Sequence, residues 1–262
     1  MNEYYKLYLP NSKKEVKIEI SIPRNKEGII FDTLYFLDGQ NAFKDSHAAF
    51  GRSIRATTHL GVAAKELKKR IIGVAIHNAG SDHGRLNEYS PWPINVPDAN
   101  FKKNNPKICQ NFCKDFIEII IPFIESKYNV YKEKEHRFIY GSSLAAITAI
   151  YLGYNYDSFG TIGAFSTALF LFKDDFYKFL DKNINKERKV FLYVGKNEES
   201  DDVFDKDIYL NSSIKLLHYF EQHNTKSRLV ISTKGIHNEE CWDKAFSDFI
   251  SYISEENIIY RY

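Results

Sequence analysis

Residues 137–146 read Arg-Phe-Ile-Tyr-Gly-Ser-Ser-Leu-Ala-Ala. Arg137–Tyr140 is an apolar run suited to a buried strand, and Leu144–Leu152 is a helix-forming run, so the chain must turn within Gly141, Ser142 and Ser143. A strand that passes so sharply into a helix needs small residues two before and two after the turning residue. Gly141 and Ala145 supply them around Ser143. A serine held there sits at a helix N-terminus, where free N–H groups and the macrodipole favour developing negative charge. Leu144 would then offer one backbone amide to an oxyanion. Taken alone, this turn reads equally well as a serine that merely caps a helix.

The flanking sequence supplies the sheet in which such a turn would sit. Glu15–Pro23 alternates polar and apolar residues, with Val16, Ile18, Ile20 and Ile22 on one face, which predicts a half-exposed strand near a sheet edge. Leu34–Leu37, Ile71–Ile76, Arg137–Tyr140, Val190–Val194 and Leu229–Ser232 are short runs rich in Val, Ile, Tyr and Phe. Such runs predict parallel strands covered on both faces. Pro106–Asn129 carries a helical stripe with a kink expected at Pro122, and Leu144–Leu152 and Ile208–His223 read as further helices. Together these predict an α/β fold: a three-layer α/β/α sandwich around a mostly parallel sheet, with residues 1–262 as a single domain. Asn78–Asn105 is polar and broken by glycine and proline. It is expected to be a long loop over the carboxyl ends of the strands, where open α/β sheets bind ligands.

Composition excludes several functional classes. The formal net charge of +2 comes without any block of like charges, so neither a nucleic-acid partner nor a polybasic membrane anchor is expected. The longest uncharged apolar stretch, Ile162–Phe172, is too short to span a bilayer. No basic-then-apolar leader follows Met1, and the three cysteines (Cys109, Cys113, Cys241) do not make a full disulfide set. A cytoplasmic protein is the expectation. Oligomeric state stays open.

Two further signals follow strands. Lys234-Gly-Ile-His-Asn places His237 after Leu229–Ser232 and before a final helix at about Trp242–Ile253, where a base can reach the serine turn. The other histidines lack that placement. His77, Asp82 and His83 have no recognised metal-ligand spacing, and Cys109 and Cys113 read as buried helix residues, so no metal is expected. After Val190–Val194 comes an acidic loop in which Glu198, Glu199, Asp201 and Asp202 are all candidates to orient His237. The order serine, acid, histidine is that of α/β-hydrolases.

Longer stretches extend this reading. They are Tyr35-Phe-Leu-Asp-Gly-Gln-Asn-Ala-Phe, Arg85-Leu-Asn-Glu-Tyr-Ser-Pro, Tyr140-Gly-Ser-Ser-Leu, Phe159-Gly-Thr-Ile-Gly-Ala-Phe-Ser, Val194-Gly-Lys-Asn-Glu and His237-Asn-Glu-Glu-Cys-Trp. Over about residues 15–250 the chain resembles the esterase family that includes esterase D, enterochelin-type siderophore esterases and single-domain feruloyl or acetyl-xylan esterases. The resemblance implies an α/β-hydrolase fold, Ser143 as nucleophile and His237 as base. It selects Glu198 as the acid and the Gln40 backbone as the second oxyanion donor. It also implies a small acyl ester as substrate and no cofactor. Leu144-Ala145-Ala146 departs from the Met-Gly-Gly common in the family. Two other readings keep the same residues: an acyltransferase using Ser143, or a degenerate hydrolase fold retained as a binding protein.

Overall fold

A computed structural model describes residues 2–23, 28–94, 96, 103–184, 187–199 and 204–255. Eight strands form one sheet: β1 (Asn2–Leu9), β2 (Lys14–Ser21), β3 (Asp32–Phe36), β4 (Ile71–Ile76), β5 (Arg137–Ser142), β6 (Thr161–Phe165), β7 (Lys189–Gly195) and β8 (Lys226–Ser232). Their order is β1-β2-β4-β3-β5-β6-β7-β8. β1 and β2 pair antiparallel to their neighbours, and the other six strands run parallel. The helices are α1 (Ala56–Glu66), α2 (Asp82–Glu88), α3 (Pro106–Asp115), α4 (Ile121–Lys127), α5 (Leu144–Asn155), α6 (Lys173–Asn183), α7 (Ile208–Gln222) and α8 (Glu239–Ser254).

The parallel strands look continuously apolar because each feeds two cores. Tyr35, Leu37, Ile139, Val190 and Leu192 enter one cluster together with residues of α3–α7. Leu34, Phe36, Tyr140, Phe191 and Tyr193 alternate into a second cluster under α1 and α8. That second layer is strongly aromatic: Phe246 of α8 meets Phe36 at 5.8 Å and Tyr140 at 5.2 Å, and Tyr252 meets Phe191 at 5.5 Å between ring centroids. The abundant Phe and Tyr thus fill the cores on both sides of the sheet. The chain runs from β3 through α1 to β4 on one side, then returns to lay β5 on the other side of β3. The carboxyl ends of β3 and β5 therefore flank a point where strand order reverses, the place at which an open α/β sheet forms a crevice.

Several expectations need correction. Among the described residues β8 pairs only with β7, so it is an edge strand and its residues are half-exposed or exposed rather than covered on both faces. β1 and β6 lay outside the sequence-derived strands, as did α1 and α6 outside the helices. The helical run from Pro106 does not simply kink at Pro122: a π turn at Phe116–Ile120 precedes α4, and Pro122 falls in the first turn of that helix, where its missing N–H has least consequence. The segment after β4 is not all loop, because α2 lies within it. Trp92 then packs against Tyr151, Phe172, Phe176 and Phe179.

The β1–β2 hairpin, partly missed in the sequence, is fastened to α3 by one buried carboxylate. Asp115 accepts from the Asn11 N–H (3.0 Å) and Nδ2 (2.8 Å) and from the Ser12 N–H (2.7 Å) and Oγ (2.6 Å). Asp115→Ala removes all four and leaves a cavity, so a loss of about 2–4 kcal/mol is expected. A lowered urea midpoint with unchanged slope would verify this.

Candidate active site

β5 enters its turn with no room to spare. A Cβ on Gly141 would strike the Ala145 carbonyl group, its carbon at 2.6 Å, so only glycine lets strand and helix approach this closely. Ala145, where the resembled family commonly has glycine, is itself fully buried. Ser143 is held at φ 57° and ψ −123°, a conformation that costs a non-glycine residue on the order of 1–3 kcal/mol. Backbone contacts on both sides hold it there. The Ser143 N–H donates to the Phe165 carbonyl (2.8 Å), and the Ser143 carbonyl accepts from Ala146 (3.2 Å) and Ala168 (3.3 Å). Leu144 follows as the first residue of α5, where the helix offers its N–H no carbonyl.

The loops after β7 and β8 converge because two glycines touch. A Cβ on Gly195 would lie 2.5 Å from the Gly235 backbone. The Lys196 N–H also donates to Ser232 O (2.8 Å) and that of Asn197 to Gly235 O (2.9 Å). His237 comes immediately before Asn238, whose side chain caps α8 by accepting from the Cys241 N–H at 3.0 Å. His237 Nε2 lies 3.0 Å from Ser143 Oγ, and Nδ1 lies 2.8 Å from Glu198 Oε2. A carboxylate only accepts, so Nδ1 carries the proton and Nε2 faces the serine as an acceptor. The ring is clamped by Tyr209 at 4.5 Å and by the edge-on Trp242 at 5.1 Å.

Of the four candidate acids, Glu198 is the one brought to His237. Its side chain has no exposed surface. Glu199 is exposed, and Asp201 and Asp202 lie outside the described residues. Burying a carboxylate needs compensation. Besides His237, Glu198 accepts from the Gly195 N–H (2.6 Å) and from Ser166 Oγ (2.7 Å). Ser166 in turn accepts from the Trp242 indole N–H at 2.8 Å. Ser166 and Trp242 had no role in the sequence reading, although each ends one of the quoted stretches.

On the other side of Ser143, the sheet register carries β3 alongside β5, with the Leu37 N–H donating to Tyr140 O at 3.1 Å. The turn Asp38–Gln40 thus runs beside Gly141–Ser143. Asp38 is left-handed (φ 52°, ψ 47°), and its N–H donates to Tyr89 Oη at 2.9 Å. Its carboxylate takes Arg85 Nε (3.0 Å) and Nη2 (2.6 Å) and Asn78 Nδ2 (2.6 Å). Burial opposes the Arg85 charge, but the facing Asp38 carboxylate outweighs it and raises the guanidinium pKa. This fork–carboxylate pair was also missed. Its signal was an arginine opening a quoted stretch and an aspartate in the turn after β3.

Replacing Ser166 with alanine would leave the buried Trp242 N–H without an acceptor and Glu198 one donor short. A stability loss of about 1–3 kcal/mol is expected, read by chemical unfolding.

The fold agrees with those of known proteins. A siderophore hydrolase from Aspergillus nidulans superposes with a TM-score of 0.79 at 15% identity, covering 98% of this chain and 95% of that one. An IroE-like serine hydrolase from Shewanella oneidensis gives 0.78 at 17% identity, covering 97% and 80%. A ferulic acid esterase from Anaeromyces mucronatus gives 0.69 at 18% identity, covering 95% and 89%. At these identities the likeness speaks for the fold. In sequence, the Bacillus subtilis (strain 168) protein YbbA is 32% identical over 83 residues, and the match spans 31% of this chain and 33% of that relative's length. Among the described residues no helix is long and apolar enough to cross a membrane. The family model described as "Putative esterase" matches residues 10–252, and the chain therefore belongs to this esterase family.

Proposed function

We propose that the protein is a serine carboxylesterase acting on a small acyl ester, with Ser143 as nucleophile, His237 as general base and then acid, and Glu198 as the group that orients and stabilises the imidazolium. One observation carries the proposal: a hydrogen-bonded path from Ser143 Oγ through His237 to the buried Glu198, with links of 3.0 and 2.8 Å. His237 takes the Ser143 proton as Oγ attacks the acyl carbon. The oxyanion that forms is received by the amides of Leu144 and Gln40. Each such donor is typically worth about 3–4 kcal/mol of transition-state stabilisation. As the tetrahedral species collapses, His237 returns the proton to the departing alcohol oxygen. Water then repeats the cycle on the acyl-enzyme. Acid, base, nucleophile and oxyanion donors all come from the polypeptide, so the reaction so written uses no metal and no organic cofactor.

Ser143→Ala or His237→Ala should lower kcat by on the order of 10⁶, and Glu198→Gln by about 10⁴. Hydrolysis of p-nitrophenyl acetate is the assay, and equal rates in wild type and Ser143→Ala would refute the assignment. Failure of a fluorophosphonate to label Ser143 would instead favour a binding protein. Esters formed when alcohols are added would favour an acyltransferase.

A further inference from the structure

A cavity of about 560 Å³ opens beside Gln40, lined by the ends of β2 and β4, the start of α2 and the segment around Phe50. That is within the usual range for small-molecule pockets and far more than an acetyl methyl can fill. In the strand order β4 and β2, whose ends line it, are two and three strands from β5, and Gln40 follows β3, the neighbour of β5; all lie on the side away from β7 and β8, whose following loops carry Glu198 and His237. Under the proposed esterase reading, on which this inference rests, the alcohol oxygen must face His237 to receive its proton. The acyl half is thereby left to extend the other way, past the Gln40 turn.

The charge around this cavity is uneven. Lys14 is engaged by Glu88, His47 by Glu19 (3.1 Å) and Glu15 by Lys6 (3.2 Å). Burial lowers the His77 pKa, so its ring stands there as a neutral hydrogen-bonding group. Two cationic positions remain. Lys17 is exposed and has no ion-pair partner among the described residues. Arg85 spends Nε and Nη2 on Asp38, leaving Nη1 with no hydrogen bond among the described residues. Phe50, 78% exposed, gives the wall an apolar surface.

We propose that this cavity receives the acyl half of the ester and that this half ends in a carboxylate, met by Lys17 and by Nη1 of Arg85. A neutral alkyl acyl group would leave Lys17 without a counter-charge and Nη1 of Arg85 without an acceptor. A dicarboxylic monoester supplies an apolar methylene stem for Phe50 and an anion for the far end. Arg85 is already rigid through its contact with Asp38, so a carboxylate docking on it loses little additional side-chain freedom.

The test compares mono-4-nitrophenyl adipate with 4-nitrophenyl hexanoate, two acyl chains of equal length that differ by the terminal carboxylate. The wild-type protein should favour the adipate ester by about tenfold or more in kcat/KM, and added salt should erode the preference. Lys17→Glu should abolish the preference, read as the ratio of the two kcat/KM values, and Lys17→Arg should restore it. Lys17 faces solvent opposite Lys6 in the β1–β2 register, so a glutamate there has a cation beside it and the strand keeps its backbone pairing. Equal or better use of hexanoate by the wild type, or a ratio unmoved in Lys17→Glu, would overturn the assignment. If neither ester is turned over while p-nitrophenyl acetate is, the cavity assignment is overturned; if p-nitrophenyl acetate is not turned over either, the esterase reading itself fails. Calorimetry of free adipate on the intact protein then judges the cavity alone: saturable binding that Lys17→Glu removes supports it, and no binding overturns it.

Discussion

The Glu198 carboxylate is the interaction on which the arrangement around Ser143 depends. It is shut off from water and held by a backbone amide at the end of β7, a hydroxyl after β6 and an imidazole after β8. Each donor belongs to a different strand-end loop, so one buried charge fastens three loops at the same rim of the sheet. Trp242 extends the tie to α8 through Ser166. A buried carboxylate is tolerable only when its oxygens are satisfied, and the price of that burial is what fixes the loops relative to one another. The glycine contact between residues 195 and 235 makes the approach sterically possible, and the hydrogen bonds make it favourable.

The opposite flank of Ser143 is set by a second carboxylate with a different character. Asp38 is paired with the charged Arg85 as well as with the neutral Asn78 amide, and it holds a left-handed turn that carries Gln40 past β5. Breaking one partner of a largely buried pair costs far more than forming it gains, because the survivor is left charged and unpaired. The two flanks thus have distinct supports: a hydrogen-bonded carboxylate towards β8 and an ion pair towards β4. Between them Ser143 is kept in a backbone conformation it would not choose alone.

Much of this was legible in the sequence, for identifiable reasons. Strands covered on both faces leave uninterrupted apolar runs, so β3, β4, β5 and β7 stood out. The elbow stood out because a tight strand-to-helix turn admits few residue types. β6 was hidden because Thr161-Ile-Gly-Ala-Phe is short and contains a glycine. β1 was hidden because its exposed face carries Tyr4, Lys6 and Tyr8, which dilute the alternation. β8 was misjudged because Leu229, Val230 and Ile231 suggest a covered strand, whereas position at the edge is a property of topology that local pattern does not encode. The same limit applied to the site. Ser143 and His237 could be picked out one at a time, but four acids competed in one loop; burial and the contact with His237 distinguish Glu198 from Glu199, and Asp201 and Asp202 lie outside the described residues. Partners such as Ser166 and Arg85 acquire meaning only once distant loops meet.

The exposed border strand has a consequence of its own. An open ladder of N–H and C=O groups invites a neighbouring molecule to add its own strand, and unguarded borders of this kind lead to sticky, fibre-like association. Here Lys226 and Arg228 stand along β8, and Arg228 is bound to Glu255 at 2.9 and 3.1 Å, drawing the end of α8 towards that border. On the far margin, Lys6 stands on β1. Both margins therefore carry long charged side chains that an added strand would have to strip of water, and the eight-stranded sheet is discouraged from growing.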